Sequence, residues 1–368
     1  MVINNNLNKK EVILHLLSDE KVVNRTFNEY EECLSEFNHV GLLFSKEEIK
    51  YATNNKFHRI ENSKSAYRFI HSYLPKVKYV IIHYLTSEKL NLVRLLPKHD
   101  INICWFVYGG DLYNRYLVNF GYDLYSQHTR KNSLKNLLKY FIRRLEFGFI
   151  VNRVDIFACN ACTLTLIQKY SRLKKQLKLV ELFAYTIEDV MGSLYKSPFV
   201  EGDAIVIGNS ASFTNNHNYI LDVIKNIPID SKIVLQLAYG GTFEYVQSVK
   251  NKYKALFSNI CFNETFCSLE NYQRLLNSGD TFIFGNWREE AEGNILTTLY
   301  LGKKVYLSKY NPLLEYYRSK GFILFSLENI TNDFDVKLSQ LEKNKNRTLA
   351  EELYNKERLF RLLKETFK

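Results

Sequence analysis

Proline is scarce, with 5 in 368 residues, which excludes long structureless linkers and predicts a chain folded throughout. Long apolar runs are missing too. Nothing approaches the roughly 18 consecutive apolar residues needed to cross a bilayer. Val12–Leu17, after a polar start, is interrupted by His15 and too short for a signal-peptide core. These absences predict a cytoplasmic protein whose membrane contact is peripheral. Acidic residues are the minority, 39 against 50 Lys and Arg, for a formal charge of +11. Such an excess speaks of partners and not of fold. It leaves nucleic acid, an anionic membrane face and phosphorylated substrates open. Six cysteines are too few for a disulfide scaffold in a chain of this size. Cys159 and Cys162 have CxxC spacing, but no second pair and no His-x-x-x-His accompany them. Buried structural thiols are expected there, and no metal.

What is present is an alternation of short apolar runs with longer stretches of helical period. Candidate strands in the first half are 12–17, 40–44, 79–85, 101–107, 155–159 and 179–183. In the second half they are 204–207, 232–238, 259–262, 281–284, 304–307 and 322–325. Several are continuously apolar, as strands buried on both faces of a parallel sheet must be. The alternation predicts an α/β fold of two Rossmann-like, doubly wound domains with ligands at the strands' carboxyl ends, in the cleft between them. Gly192, Ser193, Pro198 and Gly202 punctuate the middle. The expected division is 1–198, 199–345, and a C-terminal helix over 346–368 packing back on the first domain.

Leu134, Leu137, Leu138, Phe141, Ile142 and Leu145 recur at helical spacing and define one apolar face. Lys131, Lys135, Lys139 and Arg143 form a basic stripe beside it, with Arg144 adjacent. The stripe suits an ordinary solvated surface as well as it suits anionic headgroups or a lipid pyrophosphate. Nucleic acid ranks third, since no recognisable binding module accompanies it.

Three strand ends carry candidate chemistry. Gly208-Asn209-Ser210, with Asn215 and His217 downstream, is a small-residue turn opening a helix, where free N–H groups can meet a diphosphate. An Asn/Ser capping turn has the same composition. Arg288, in Trp287–Asn294, can neutralise a departing nucleoside diphosphate, and Gly293 lets backbone approach a ligand. The glutamates around Arg288 would equally complement a helix N-terminus. Asp111, after Gly109 and Gly110, is expected to expose its carboxylate as a general base, although Asp also serves as a simple cap. Asp19 and Arg25 follow the first run, and His83 ends the third. Many retaining GT-B glycosyltransferases place two glutamates eight positions apart at such a loop; Glu289 stands at the first position and Thr297 at the second.

In this order, Ser18-Asp19, Asn24-Arg25-Thr26, Gly109 with Asp111-Leu112-Tyr113, Gly208-Asn209-Ser210 with Asn215 and His217, and Arg288 with Gly293 resemble glycosyltransferase family 56. These are the TDP-N-acetylfucosamine:lipid II N-acetylfucosaminyltransferases. The resemblance spans nearly the whole chain, including Arg143-Arg144 and Asn311-Pro312. It implies a GT-B fold, a dTDP-linked 4-acetamido-4,6-dideoxyhexose donor and an undecaprenyl-pyrophosphate-linked saccharide acceptor. The setting it implies is enterobacterial common antigen or O-antigen synthesis on the cytoplasmic face of the inner membrane, with no cofactor. By matching position it puts Gly208, Asn209, Ser210, His217 and Arg288 at the nucleotide diphosphate, and Asn215, Gly293 and Asn294 are further candidates for donor binding. Asp19, Arg25, His83, Asp111 and Tyr113 fall on the acceptor side, and Asp111, Asp19 and Arg288 are the catalytic candidates. Tyr239, before Gly240-Gly241, replaces a proline-containing turn and can touch the sugar or base. A UDP- or GDP-sugar donor and a basic nucleic-acid-binding protein are the alternatives. Asp333-Phe334-Asp335 has the spacing of a metal-dependent GT-A motif but follows every candidate strand, and is expected to open the last helix.

Overall fold

The computed structural model describes residues 10–98, 100–126, 134–171, 176–266 and 268–368. Thirteen strands form two all-parallel sheets. The first sheet holds β1 (Val12–Leu17), β2 (Asn38–Phe44), β3 (Phe57–Ile60), β4 (Val77–His83), β5 (Asn102–Phe106), β6 (Ile156–Ala158) and β7 (Lys178–Val180), in the order β3-β2-β1-β4-β5-β6-β7. The second holds β8 (Ala204–Ile207), β9 (Lys232–Gln236), β10 (Ile260–Asn263), β11 (Gly279–Phe284), β12 (Lys304–Leu307) and β13 (Phe325–Ser326), in the order β10-β9-β8-β11-β12-β13.

The doubly wound reading holds for both sheets. β3 carries little strand signal in the sequence: Phe-His-Arg-Ile is half polar, and it pairs along one edge through Gly41↔Phe57. Edge strands carry little of the apolar signal that reveals central ones. β1 and β8, by contrast, are buried along their whole length. In each sheet the strand order reverses beside the first strand, at β1/β4 and at β8/β11. Those crevices are where ligands of open α/β sheets bind.

The chain forms two compact units, one of 1–122, 131–185 and 357–368, the other of 123–130 and 186–356. The division falls after Tyr185 and not at 198, because helix Ile187–Met191 packs against helices Glu292–Tyr300 and Gln340–Tyr354. Gln273 Nε2 also donates to Val190 O at 2.5 Å, and Lys196 N to Tyr300 Oη at 2.8 Å. The punctuating glycines therefore lie inside the second unit.

The C-terminal segment is two helices. Gln340–Tyr354 belongs to the second unit, where Asn346 brackets Ile323 through both its amide atoms. Lys356–Thr366 belongs to the first, where Phe360 O accepts from Cys33 Sγ and Lys368 O from Tyr79 Oη. Asp333–Asp335 does not open either helix. Asp333 ends a short helix and accepts from Tyr306 Oη at 2.6 Å, clamping β12. Cys159 is buried and Cys162 half-buried.

Candidate functional site

At the β8/β11 crevice, Gly208 takes φ +69° and its N–H donates to Ile283 O of β11. A Cβ there would meet Asn215 Oδ1 at 2.9 Å and His217 Nε2 at 3.1 Å. The space the glycine leaves is filled by the chain's own side chains, not held open for a ligand. Asn215 locks the turn, accepting from Asn209 N at 2.9 Å and donating to Ser210 Oγ at 3.0 Å. The backbone N–H of Asn209 is thus already engaged, which corrects the picture of a bare N–H cradle. Two polar atoms of the turn lack partners among the described residues, Asn209 Oδ1 and His217 Nε2.

His217 opens helix His217–Ile224, with Asn216 in the left-handed region as its cap. Asn216 Nδ2 donates to Gly285 O and Leu124 O. Burial pushes His217 down to about 4, so the ring is neutral. Its Nδ1 lies 3.0 Å from Tyr245 Oη. When that hydroxyl donates, Nε2 carries the proton and presents a donor. Tyr239 stands exposed beside this turn, its carbonyl accepting from Ala211 N at 2.7 Å.

After β11, Arg288 Nε donates to Glu290 Oε2 at 2.9 Å, and Asn286 Nδ2 donates to the same oxygen at 3.1 Å. Asn286 also reaches Thr214 O at 3.1 Å, tying this loop to the β8 turn. The guanidinium is therefore present at the crevice but already has a carboxylate partner. Gly293 and Asn294 lie in the first turn of helix Glu292–Tyr300, their carbonyls accepting from Thr297 and Thr298 hydroxyls. Thr297 is buried.

At the β1/β4 crevice the outcome differs more. Asp111 is buried, and its two oxygens accept from Leu85 N and Trp105 Nε1 at 2.8 Å and from Tyr108 N at 3.0 Å. Burial raises its pKa, against the lowering effect of those donors. The exposed general base expected here is instead a brace joining the β4 and β5 loops. Asp19 is also a brace, accepting from Lys50, Tyr51 and Ala52 N–H groups at 2.6–2.9 Å. Tyr113 is buried edge-on to Tyr122, out of reach of an acceptor. Arg25 Nη2 donates to Ala184 O at 3.1 Å.

His83 does reach this crevice, lining a small cavity with Ser18, Glu20, Thr26, Tyr84 and Tyr108. Beneath it lies Lys89, which had no sequence signal inside helix Ser87–Leu95. It is buried, and its ammonium donates to Ser18 Oγ at 2.6 Å, His83 O at 2.5 Å and Tyr84 O at 2.9 Å. Burial pushes it down to about 7, while Asp111 and Glu20 pull it up. Its grip on Tyr84 O helps hold that residue at φ +60°, a costly conformation for a bulky side chain. Glu20, the neighbour of Asp19 in sequence, lines the cavity as Asp19 does not.

Helix Leu134–Arg153 carries the apolar face read from sequence, and among the described residues that face is not covered. Leu137, Leu138, Phe141, Ile142 and Leu145 are all exposed, Leu145 by 75%. Lys139 is exposed beside them. Arg143 is paired with Glu146, which also holds Arg115, and Arg144 donates to Tyr170 O. Those two arginines are structural. Lys131 and the Lys135 side chain lie outside the described residues.

No family model matches the chain, and no curated protein does. Solved structures match it over nearly its whole length. A glycosyltransferase from Rickettsia africae ESF-5 shares 13% identity, with 98% of each chain covered and a TM-score of 0.62. Sucrose-phosphate synthase from Thermosynechococcus elongatus shares 10%, covering 97% of this chain and 98% of its own, at 0.67. Anabaena HepE in complex with UDP and glucose shares 10%, covering 97% and 99%, at 0.61. At such identities the likeness shows the fold, which is that of the GT-B glycosyltransferases.

Proposed function

We propose that this protein is a glycosyltransferase that moves a 4-acetamido-4,6-dideoxyhexose from a dTDP-sugar to an undecaprenyl-pyrophosphate-linked saccharide, at the cytoplasmic face of a bacterial inner membrane. The observation that carries the transferase reading is the full-length likeness to glycosyltransferase structures. The donor and acceptor rest on the family 56 resemblance.

In this reading the second unit takes the donor. His217 Nε2, the N–H groups opening its helix and Arg288 meet the diphosphate, and Tyr239 is placed for the base or sugar. The first unit takes the acceptor. Glu20, which lines the β1/β4 cavity and has no loop-bracing hydrogen bond among the described residues, takes the reacting hydroxyl's proton in this reading, in place of Asp111 and Asp19. The exposed apolar stripe of helix Leu134–Arg153, flanked by Lys139 and within a chain of charge +11, suits a peripheral seat on anionic lipid.

HepE is described in complex with UDP and with UDP-glucose, which favours a uridine donor as the second reading. A thermal-shift screen of dTDP, UDP, GDP and CMP decides between them. It is followed by transfer from the matching sugar nucleotide to a short polyprenyl-pyrophosphate-linked N-acetylhexosamine. Stabilisation by dTDP with release of dTDP on adding acceptor is the expected result. Stabilisation by UDP alone moves the donor, and salt-sensitive binding to any DNA with no nucleotide shift sinks the transferase reading.

A further inference from the structure

Three histidines cross the first sheet in a line. Pairing sets His39 of β2 level with Ile13, and Ile81 of β4 level with His15. Steps of two residues therefore lead from His39 to His15 to His83, and side chains two apart on a strand share a face. His39 Nδ1 and His15 Nε2 lie 3.0 Å apart, and His15 Nδ1 and His83 Nε2 lie 3.1 Å apart. Phe27 and Tyr30 pack edge-on against the central ring.

The direction of this chain is set at one end. His39 Nε2 is 3.0 Å from Leu34 O, and a carbonyl can only accept. Nε2 of His39 therefore carries the hydrogen. A neutral imidazole has one N–H, so His39 Nδ1 is an acceptor and His15 Nε2 donates to it. The same step leaves His15 Nδ1 accepting from His83 Nε2. Burial keeps the rings neutral: it holds His15 well below its ordinary range, lowers His39, and takes His83 to about 3 with help from the Lys89 charge. The last atom in line, His83 Nδ1, is buried and has no partner among the described residues. His83 lines the β1/β4 cavity, which has room for about one water or hydroxyl.

We propose that the histidine chain locks His83 as a hydrogen-bond acceptor in this cavity, where it receives a hydroxyl of the acceptor sugar. The identity of the ligand rests on the glycosyltransferase reading; the tautomer does not. His83 touches the ligand, while His15 and His39 are positioning residues that act through it. A locked acceptor selects a hydroxyl over an ether or carbonyl oxygen, since either of those would set lone pair against lone pair.

The test uses the full chain with 15N-labelled histidine, the His83 signals being assigned by their loss in His83→Leu. A protonated Nε2 and a bare Nδ1 are expected at pH 7. His39→Leu removes the atom that polarises the chain and should give mixed His83 tautomers. His39→Gln, whose amide can accept from His15 and donate to Leu34 O, should keep the original pattern. In the transfer assay with the polyprenyl-pyrophosphate-linked N-acetylhexosamine, His83→Leu should raise the acceptor KM roughly threefold to tenfold, the worth of one neutral hydrogen bond. His83→Asn should recover part of that loss, and the nucleotide thermal shift should not move in either variant. His83 protonated at Nδ1, or an acceptor KM unchanged in His83→Leu, overturns the proposal. The expected tautomer with no transfer from any sugar nucleotide removes the sugar ligand together with the transferase reading, and leaves the lock standing.

Discussion

Asp111 accepts a hydrogen bond from the Trp105 indole at 2.8 Å, with both residues buried. Because Leu85 N and Tyr108 N fill the remaining acceptor sites described above, an amide in place of the carboxylate would set an NH2 group against a donor. Asp111→Asn is therefore expected to cost about 2–3 kcal/mol of stability, read as a lower melting temperature. Transfer per folded molecule should survive. Abolished transfer with unchanged stability would restore Asp111 as the base.

Gly208→Ala adds strain at φ +69° and drives a methyl against Asn215 Oδ1 and His217 Nε2. A loss of about 1–3 kcal/mol is expected, with weakened dTDP binding because the turn that places His217 is displaced. Normal nucleotide affinity in the folded variant would separate this turn from the donor site.

Arg288 and Glu290 make opposite predictions. Arg288→Ala removes a cation from the crevice and should weaken dTDP at least tenfold, on the order of 1.4 kcal/mol. Glu290→Gln removes the neutralising charge while keeping an oxygen for Asn286 Nδ2, so it should tighten dTDP severalfold. Titration calorimetry with dTDP measures both, and tightening by the first or weakening by the second would exclude the guanidinium from diphosphate binding.

The apolar stripe gives a prediction independent of the chemistry. Leu138→Glu with Phe141→Glu should abolish sedimentation with vesicles containing anionic phospholipid, and Lys139→Glu should weaken it. Melting temperature should hold, since the side chains are exposed. Retained vesicle binding in the double variant would place any membrane contact elsewhere.

Acid should destabilise the fold through its buried histidines. His217 has a folded pKa of about 4 and His83 of about 3, against 6.5 when unfolded. From pH 6.5 downward the unfolded chain takes up protons that the folded rings refuse. Stability is therefore complete above pH 6.5 and falls as pH drops toward 4, by about 1.4 kcal/mol per pH unit for each ring. His217→Phe should flatten the pH dependence of urea unfolding over pH 7–5 by one such share. An unaltered slope would mean that His217 titrates normally.

The architecture is legible in the residues alone, because central parallel strands must be apolar on both faces and leave continuous runs such as Val12–Leu17 and Ala204–Ile207. The sequence also located the strand ends where His83, Gly208 and Arg288 stand. What it could not decide was which atoms at those ends are already taken. Asp111 and Asp19 look like free carboxylates until the fold brings Leu85 N, 26 residues away, to Asp111 and the N–H groups of Lys50, Tyr51 and Ala52 to Asp19. Lys89 is one more lysine in a helix until the fold buries it under the β1/β4 crevice. His39, His15 and His83 lie 24 and 68 residues apart in sequence, and strand register alone brings their rings into one line. Periodicity records which face a residue occupies, whereas hydrogen-bond occupancy depends on partners that tertiary structure alone brings together.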